Sequence, residues 1–269
     1  MNLFTARLAA EDAVLVTVDA FQGSVPRESG AWMAVFGHGF VGTIGGGHLE
    51  LKAIEEARLR LAGAGGDPVL RFALGPSLGQ CCGGVVQLRF EKVDASQASA
   101  LVRRLAPQRI PVALFGGGHV GRALVAALGP LPFAVRWIDS RDEIFPAMPA
   151  DNVGCEHSDP VQSAVPDLAA GSHVLVMSFS HAEDLDVVAA CLLRQRQHAD
   201  LPFIGLIGSK TKWATFRHRL EERGFSRQEL ARVTCPIGLA GIKGKQPEVI
   251  AVSVAAQLLQ LRSWEAPEK

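Results

Sequence analysis

The chain has 269 residues, of which 48% are hydrophobic and 20% are charged. This composition excludes an intrinsically disordered chain and supplies enough apolar residues for one large domain or two modest ones. The charges balance, with 27 Lys and Arg against 27 Asp and Glu, so no field of one sign is available to hold a nucleic-acid backbone or an anionic membrane surface. We therefore expect two domains, with neither nucleic acid nor membrane among the partners.

The N-terminal residues carry no basic leader followed by an apolar core and a cleavage site. No apolar run in the chain reaches the roughly 18 residues that a membrane span requires. The 5 cysteines form an odd set without a CxxC pair, which argues against a disulfide framework. We expect a cytoplasmic protein whose cysteines remain thiols.

The first half of the chain alternates short apolar runs with glycine-rich loops. Residues 14–19 predict a strand that enters a polar loop at residues 22–30, and residues 31–41 predict a hairpin closed by a glycine turn. The hairpin leads into Gly45, Gly46 and Gly47, and apolar residues at helical spacing then predict a helix over residues 49–61. The triple glycine is therefore expected at a helix N-terminus.

Two further strands, predicted at residues 69–74 and 85–93, flank a loop that contains Gln80, Cys81 and Cys82. A helix is predicted over residues 94–105, before a proline-bounded segment at residues 107–111. We place the domain boundary at this segment. The prediction is an N-terminal α+β domain with glycine-rich loops at residues 1–106, followed by a second domain at residues 107–269.

The second domain begins with a strand at residues 112–115, a glycine turn and a helix at residues 122–128, and its next strand, residues 134–138, ends at Asp139. Strands are also predicted at residues 173–177 and 203–207, with a helix between them around residues 185–196. A final helix at residues 247–261 would close the sheet or pack on the first domain. This order predicts a Rossmann-like domain with a parallel sheet, and hence an α/β protein.

Gly116, Gly118 and Gly121 have the GxGxxG spacing of a turn that holds a phosphate on the amides of a helix N-terminus. Asp139 would accept a ribose hydroxyl, and Arg141 would meet an extra phosphate or pair with Asp142. The same glycines also suit a tight turn that only packs a helix against a strand. Both interpretations remain open at this point.

The triple glycine at residues 45–47 is a second candidate for an anion site, because amides uncovered by side chains approach a ligand closely. Arg27, in the loop before it, has a planar guanidinium group that can donate two hydrogen bonds to a phosphate or a carboxylate. A plain tight turn and a solvated loop arginine are the alternative interpretations.

Cys81 and Cys82 are adjacent thiols in a glycine-flanked loop, where they are poor core fillers. Even with His48 as a distant candidate, they fall short of the four ligands of a zinc site. Thiolates facing a molybdenum or sulfur-rich cofactor, or two structural thiols in a tight loop, are the interpretations left open. No nucleophile with an adjacent base is evident, so no catalytic residue is predicted.

In their order along the chain, several segments resemble one family, the XdhC/CoxI accessory proteins that serve molybdenum hydroxylases such as xanthine dehydrogenase. The XdhC type is the closer match, and the resemblance covers nearly the whole chain. The segments are Gly23-Ser-Val-Pro-Arg27, Gly42-Thr-Ile-Gly-Gly-Gly47, Gly79-Gln-Cys-Cys-Gly-Gly84, Gly116-Gly-Gly-His-Val-Gly121, Ile138-Asp-Ser-Arg141, Ile204-Gly-Leu-Ile-Gly-Ser-Lys210, Pro236-Ile-Gly-Leu239 and Lys245-Gln-Pro-Glu248.

The resemblance implies an accessory chaperone, and not an enzyme, that binds and protects the molybdenum cofactor, a pterin dithiolene with a phosphate. A cysteine desulfurase would replace an oxo ligand of the bound cofactor by sulfur, and the chaperone would deliver the product to the large subunit of xanthine dehydrogenase. Cys82 and Cys81 would contact the molybdenum or the dithiolene, next to Gln80, while Arg27 and glycine amides would take the phosphate. We also expect a homodimer, and a nucleotide site in the Rossmann-like domain remains open.

Two other functions compete with this one. An NAD(P)-dependent oxidoreductase would use Gly116, Gly118, Gly121 and Asp139 for its cofactor, although no proton-transfer group is evident in the sequence. A structural adaptor that bridges the desulfurase and the hydroxylase would need no small ligand. One departure from the family pattern is His48, which stands where a longer basic residue is expected after the triple glycine.

Overall fold

The structure is a computed structural model that describes residues 1–74 and 83–261. Contacts within the chain divide it into two compact units, Met1–Pro107 and Gln108–Lys269. The division lies beside the proline-bounded segment at which the sequence predicts a boundary. Each unit buries hydrophobic clusters of its own.

The first unit is built on an antiparallel sheet of five strands. Among its described residues, the strands are β1 (Ala13–Gln22), β2 (Trp32–Val35), β3 (Phe40–Gly42), β4 (Val69–Ala73) and β5 (Val85–Val93), and the α-helices are α1 (Asn2–Leu8), α2 (Gly47–Leu61) and α3 (Ala98–Leu105). The strand order across the sheet is β3-β2-β1-β5-β4.

The central strand β1 is buried on both faces because successive side chains of a strand point in opposite directions. Val14 and Val16 pack with Leu49 of α2 on one face. Ala13 and Leu15 belong to the cluster on the other face, which includes residues of α1 and α3. The first unit therefore has three layers, with the sheet in the middle, and the loops at its ends are positioned by a packed core.

The second unit is built on a parallel sheet of six strands. Among its described residues, the strands are β6 (Ile110–Phe115), β7 (Phe133–Asp139), β8 (Val153–His157), β9 (His173–Val176), β10 (Phe203–Leu206) and β11 (Val233–Thr234), and the α-helices are α4 (His119–Leu128), α5 (His181–His198), α6 (Lys210–Glu222), α7 (Arg227–Leu230) and α8 (Pro247–Leu261).

The strand order β11-β10-β9-β6-β7-β8 is that of a doubly wound Rossmann fold. The chain runs outward from β6 through β7 to β8, and then returns to add β9, β10 and β11 on the other side. In open parallel sheets, ligands bind outside the carboxyl ends of the strands at such a switch point. A ligand site in this unit is therefore expected at the loops after β6 and β9.

Helices cover both faces of the parallel sheet. Leu124 of α4 and Val254 of α8 share a cluster on one face, and Leu192 of α5 and Phe216 of α6 share a cluster on the other. The final helix packs with α4 inside the second unit. No helix in the described ranges is both long enough and apolar enough to cross a membrane.

The structure confirms the α/β class, the mixed first unit and the Rossmann-like second unit. Elements that the sequence did not predict are α1, β8, α6, α7 and β11. The remaining boundaries differ by a few residues, and the most useful difference is at α4, which begins at His119 and so follows the glycine turn directly.

Candidate cofactor-binding sites

The glycine turn between β6 and α4 lies at the switch point of the parallel sheet. Gly116 has a φ of +121°, and a Cβ atom there would lie 1.9 Å from the carbonyl oxygen of Met177, directly after β9. No side chain fits this contact between two backbones. Gly116 is therefore fixed by the close approach of the two strand ends, with or without a ligand.

Gly118, the residue before α4, and Gly121, in the first turn of α4, have different roles. A Cβ on Gly121 would lie 2.1 Å from the carbonyl oxygen of Gly116, whereas a Cβ on Gly118 would meet no atom within 4 Å. Gly118 is the exposed N-cap of α4 and no side chain caps the helix there. The positive end of α4 is thus uncapped by a side chain and open at Gly118, which is the kind of helix start that binds phosphate.

Asp139, at the end of β7, is buried and accepts hydrogen bonds on both carboxylate oxygens. Oδ2 accepts from the Gly117 amide at 2.6 Å and from Arg141 Nη2 at 3.0 Å, and Oδ1 accepts from the amide and Nε of Arg141, both at 2.9 Å. Burial alone would raise the pKa of Asp139, but these bonds hold it below the ordinary carboxyl value. A ribose hydroxyl would have to replace some of these donors.

Arg141 pairs with Asp139 and not with Asp142, so the carboxylate partner that the sequence suggested is the wrong one. Its guanidinium also lies 4.3 Å from the ring centroid of Phe179, an exposed residue that follows β9. The side chain is 27% exposed. It therefore links the ends of β7 and β9 across the glycine turn, and it remains reachable by an anion at the edge of the sheet.

A buried ion pair that the sequence did not indicate lies at the same edge of the sheet. Lys212 Nζ of α6 donates to Asp184 Oδ2 of α5 at 2.6 Å and to the Ile207 carbonyl at 2.8 Å. Asp184 Oδ1 accepts from the Ser178 amide at 2.7 Å. The two side chains are 11% and 3% exposed. This pair ties the ends of β9 and β10 to the starts of two helices and so stabilises the edge.

In the first unit, the triple glycine at the start of α2 already binds a carboxylate of its own chain. Glu50 Oε2 accepts from Thr43 Oγ1 at 2.7 Å, from the Ile44 amide at 3.1 Å and from the Gly46 amide at 3.2 Å. The Gly45 amide donates to Thr43 Oγ1 at 3.1 Å. An external anion would thus compete with Thr43 for the Gly45 amide and with Glu50 for the Gly46 amide. Gly47 is the member of the triplet without such a bond among the described residues.

Gly45 instead joins two loops. A Cβ on Gly45 would lie 2.5 Å from Cβ of Pro26, so the triple glycine packs closely on the loop that carries Arg27. This loop borders a cavity of about 520 Å³, which is lined by Phe21 and residues 23–28. Arg27 is one of the lining residues and is exposed. The sequence predicted both segments as ligand-binding loops, and the structure places them side by side.

The described residues on either side of residues 75–82 lie at the same place. A Cβ on Gly84 would lie 2.4 Å from the Ser24 carbonyl oxygen, and the Leu74 amide donates to the Gly84 carbonyl at 2.8 Å. Both chain ends that border residues 75–82 therefore lie next to the Arg27 loop. Gln80, Cys81 and Cys82, which the sequence singled out, lie outside the described residues.

A resident metal site is not evident in the described part of the chain, where no group of three or more His, Cys, Asp or Glu side chains comes together. Contacts of Cys81 and Cys82 with molybdenum stay a prediction. Among the described cysteines, Cys191 is fully buried and burial raises its pKa to about 12, so it is a core residue and not a metal ligand.

The fold and these loops define a two-unit protein in which a Rossmann-type unit follows an antiparallel unit with converging glycine-rich loops. The family profile described as the XdhC Rossmann domain matches residues 112–258, and the profile of the XdhC and CoxI family matches residues 6–73. The chain belongs to the XdhC and CoxI family.

Individual relatives extend the comparison. The chain is 28% identical over 281 residues to YqeB of Escherichia coli, a match that covers 98% of this chain but 47% of YqeB, so the chain spans about half the length of that relative. It is 26% identical to the E. coli molybdenum cofactor insertion chaperone PaoD, over 96% of this chain and 86% of PaoD. A crystal structure described as a xanthine dehydrogenase of Bacillus halodurans superposes with a TM-score of 0.79 at 20% identity, over 99% of this chain and 97% of that one. This last similarity establishes the shared fold.

Proposed function

We propose that this protein is a carrier and insertion chaperone for the molybdenum cofactor, an accessory protein and not an enzyme. The observation that carries the proposal is the convergence of loops in the first unit. Gly45 contacts Pro26, and Gly84 contacts Ser24, so the arginine loop, the triple glycine and both ends of the segment with Cys81 and Cys82 lie together. Arg27 and the amides of the triple glycine would hold the cofactor's phosphate, with those of Gly45 and Gly46 released from Thr43 and Glu50.

The thiols of Cys81 and Cys82 would contact the molybdenum or the dithiolene, with Gln80 beside them. Thiolates are soft ligands that suit such a sulfur-rich group. Sequence similarity over most of both chains to PaoD, a molybdenum cofactor insertion chaperone, supports the same kind of cargo here. Membership of the XdhC and CoxI family supports it independently.

The partners belong to the proposal as well. A cysteine desulfurase would sulfurate the cofactor while this protein protects it, and the large subunit of xanthine dehydrogenase would receive it. The protein would act in the cytoplasm as a homodimer.

A second candidate function is a nucleotide-dependent oxidoreductase, which the Rossmann strand order and the exposed start of α4 favour. The bonds of Asp139 argue against it, since Gly117 and Arg141 already occupy both carboxylate oxygens. A thermal-shift titration with NAD(P) separates the functions. A saturable rise in the unfolding temperature would support the oxidoreductase, and its absence would leave the chaperone.

The proposed function is tested by cofactor transfer. Purified xanthine dehydrogenase lacking its cofactor is mixed with molybdenum cofactor, a cysteine desulfurase and a sulfur source, with or without this protein, and xanthine oxidation is followed. We expect the protein to increase the activated fraction several-fold and Arg27→Ala to weaken the effect. Arg58→Ala, an exposed arginine near the end of α2, serves as the control. Equal activation with and without the protein would overturn the proposal.

A further inference from the structure

The second unit contains a cavity of about 430 Å³ that none of the functions above uses. It lies at the carboxyl ends of β10 and β11, between Gly208, the chain segment after β11 and the first turns of α8. Its size is within the range of small-molecule sites, roughly 300–1,000 Å³. It opens at the edge of the parallel sheet where ligands of such folds bind.

The wall of the cavity is anchored to α8 by side-chain bonds. The Gly238 amide donates to Gln257 Oε1 at 2.7 Å, and the Leu239 amide donates to Ser253 Oγ at 2.8 Å. Gly238 has a φ of +99°, and a Cβ there would lie 2.6 Å from Ser253 Oγ, so only glycine allows this approach. The cavity is thus a built feature and not a surface depression between mobile side chains.

The lining combines apolar walls with a buried polar group. Ile207, Ile237 and Val249 supply flat aliphatic surface. Ser253 is 7% exposed and lines the cavity. Its Oγ accepts from Leu239, and its own proton has no acceptor among the residues that the structure describes. A ligand with a hydrogen-bond acceptor at its edge would accept the proton of this hydroxyl, and an apolar ligand face would pack on the aliphatic walls. A flat heteroaromatic ring has both properties.

Positive charge lies on the segment that forms this wall. Lys243 and Lys245 are exposed on it, and the N-terminus of the 15-residue helix α8 follows, with Glu248 as the acidic residue of its first turn. The two lysines flank Gly244, which lines the cavity, and would attract an anionic substituent on the ring.

We propose that this cavity binds the heteroaromatic ring of a phosphate-bearing ligand, with the phosphate toward Lys243 and Lys245. Resting on the proposed function, the ring is the pterin of the molybdenum cofactor. Because the cofactor has one phosphate, the second unit would hold the pterin and the phosphate at a different stage from the loops around Arg27.

The test uses 6-hydroxymethylpterin and its phosphate monoester as fluorescent probes of the full chain. Ala240 lines the cavity and is exposed, so Ala240→Trp fills it. Ala170→Trp, at an exposed turn before β9, is the matched control. We expect at least tenfold weaker probe binding for Ala240→Trp, unchanged binding for Ala170→Trp, and a selective loss for the phosphate ester when Lys243 and Lys245 are both changed to Gln.

Equal binding by the two tryptophan variants, or displacement of the wild-type probe by GMP in preference to pterin, would overturn the inference. If Ala240→Trp lowers the unfolding temperature, Ile242→Trp gives a second filled cavity, since Ile242 also lines it and is exposed. Loading with molybdenum cofactor separates the two proposals. A wild type that loads with the cofactor but binds neither pterin probe would overturn the cavity assignment alone, whereas a wild type that binds the probes but retains no cofactor would overturn the proposed function alone.

Discussion

The carboxylate of Asp139 binds the amide of Gly117, with 2.6 Å between Oδ2 and the nitrogen. The acid at the end of β7 thus holds the glycine turn after β6, and Arg141 completes its coordination from the other side. This relationship gives Asp139 a structural role that does not depend on a nucleotide. It also explains how a buried carboxylate at this edge remains ionised.

Substitution Asp139→Asn should destabilise the protein by about 1–3 kcal/mol at neutral pH, because charged hydrogen bonds to Gly117 and Arg141 are lost. The folded-state pKa of Asp139 is depressed, so its contribution is present above the unfolded-state pKa and is lost as the pH falls through the folded-state value. The difference in unfolding temperature between wild type and variant should be constant from about pH 5 to 8 and shrink below about pH 4.

The exposed Asp142→Asn provides the control for this measurement, with an expected change within about 0.5 kcal/mol. Equal effects of the two substitutions would contradict the role of Asp139 in stabilising the glycine turn.

Gly121 and Gly118 should contribute very differently to stability. Gly121→Ala should cost at least about 2 kcal/mol, because the new Cβ would lie 2.1 Å from the Gly116 carbonyl oxygen. Gly118→Ala should fold with little loss, since its Cβ meets no atom within 4 Å and its φ is −68°. Thermal unfolding of both variants checks this, and an unstable Gly118→Ala would show that the open space in front of α4 is needed for folding.

The Rossmann core could be predicted from sequence because its signals are local. An apolar run before Gly116 and a helix directly after the glycines determine β6, the turn and α4. Helix α6 has no such signal, since Phe216 and Leu220 are its buried residues and charged side chains fill most of the rest. Lys212 lies on this helix, so its pairing with Asp184 at the edge of the parallel sheet could not be predicted from sequence alone.

Local patterns also left the roles of the site residues open. The sequence made the triple glycine a candidate for either an anion site or a plain tight turn. In the structure its loop amides bind the carboxylate of Glu50, from the first turn of the same helix. An acid three residues after the last glycine was a visible signal for this. The contact between Gly45 and Pro26 depends on tertiary packing, so the proximity of the two loops could not be predicted.

The buried pair of Lys212 and Asp184 should be important for stability. Lys212→Met leaves the buried carboxylate without its cation and should cost about 3–5 kcal/mol. Lys210→Met, on an exposed residue of the same helix, should change stability by less than about 0.5 kcal/mol. Chemical unfolding followed by circular dichroism measures both, and a comparable small effect for the two would show that the pair is not needed.

Glu50 should stabilise the first unit through the triple-glycine loop. Glu50→Ala removes the acceptor for Thr43, Ile44 and Gly46 and should cost about 1–3 kcal/mol. Glu55→Ala breaks only an exposed pair with Lys52 on the same helix and should cost about 0.5 kcal/mol or less. Differential scanning fluorimetry of the two variants decides whether the loop depends on its internal carboxylate, and matching midpoints would show that it does not.

The central claim, that this protein carries the molybdenum cofactor on the loops around Arg27 and the Cys81–Cys82 segment, is tested most directly by metal and pterin analysis. Protein purified without oxygen is incubated with the cofactor, separated from the excess and analysed, for the wild type and for Cys81→Ala, Cys82→Ala and the control Cys155→Ala. Cys155 is an exposed thiol in the second unit. We predict near-stoichiometric molybdenum and pterin on the wild type and the control, and a marked loss in at least one of the Cys81 and Cys82 variants. A wild-type protein that retains neither molybdenum nor pterin would contradict the account.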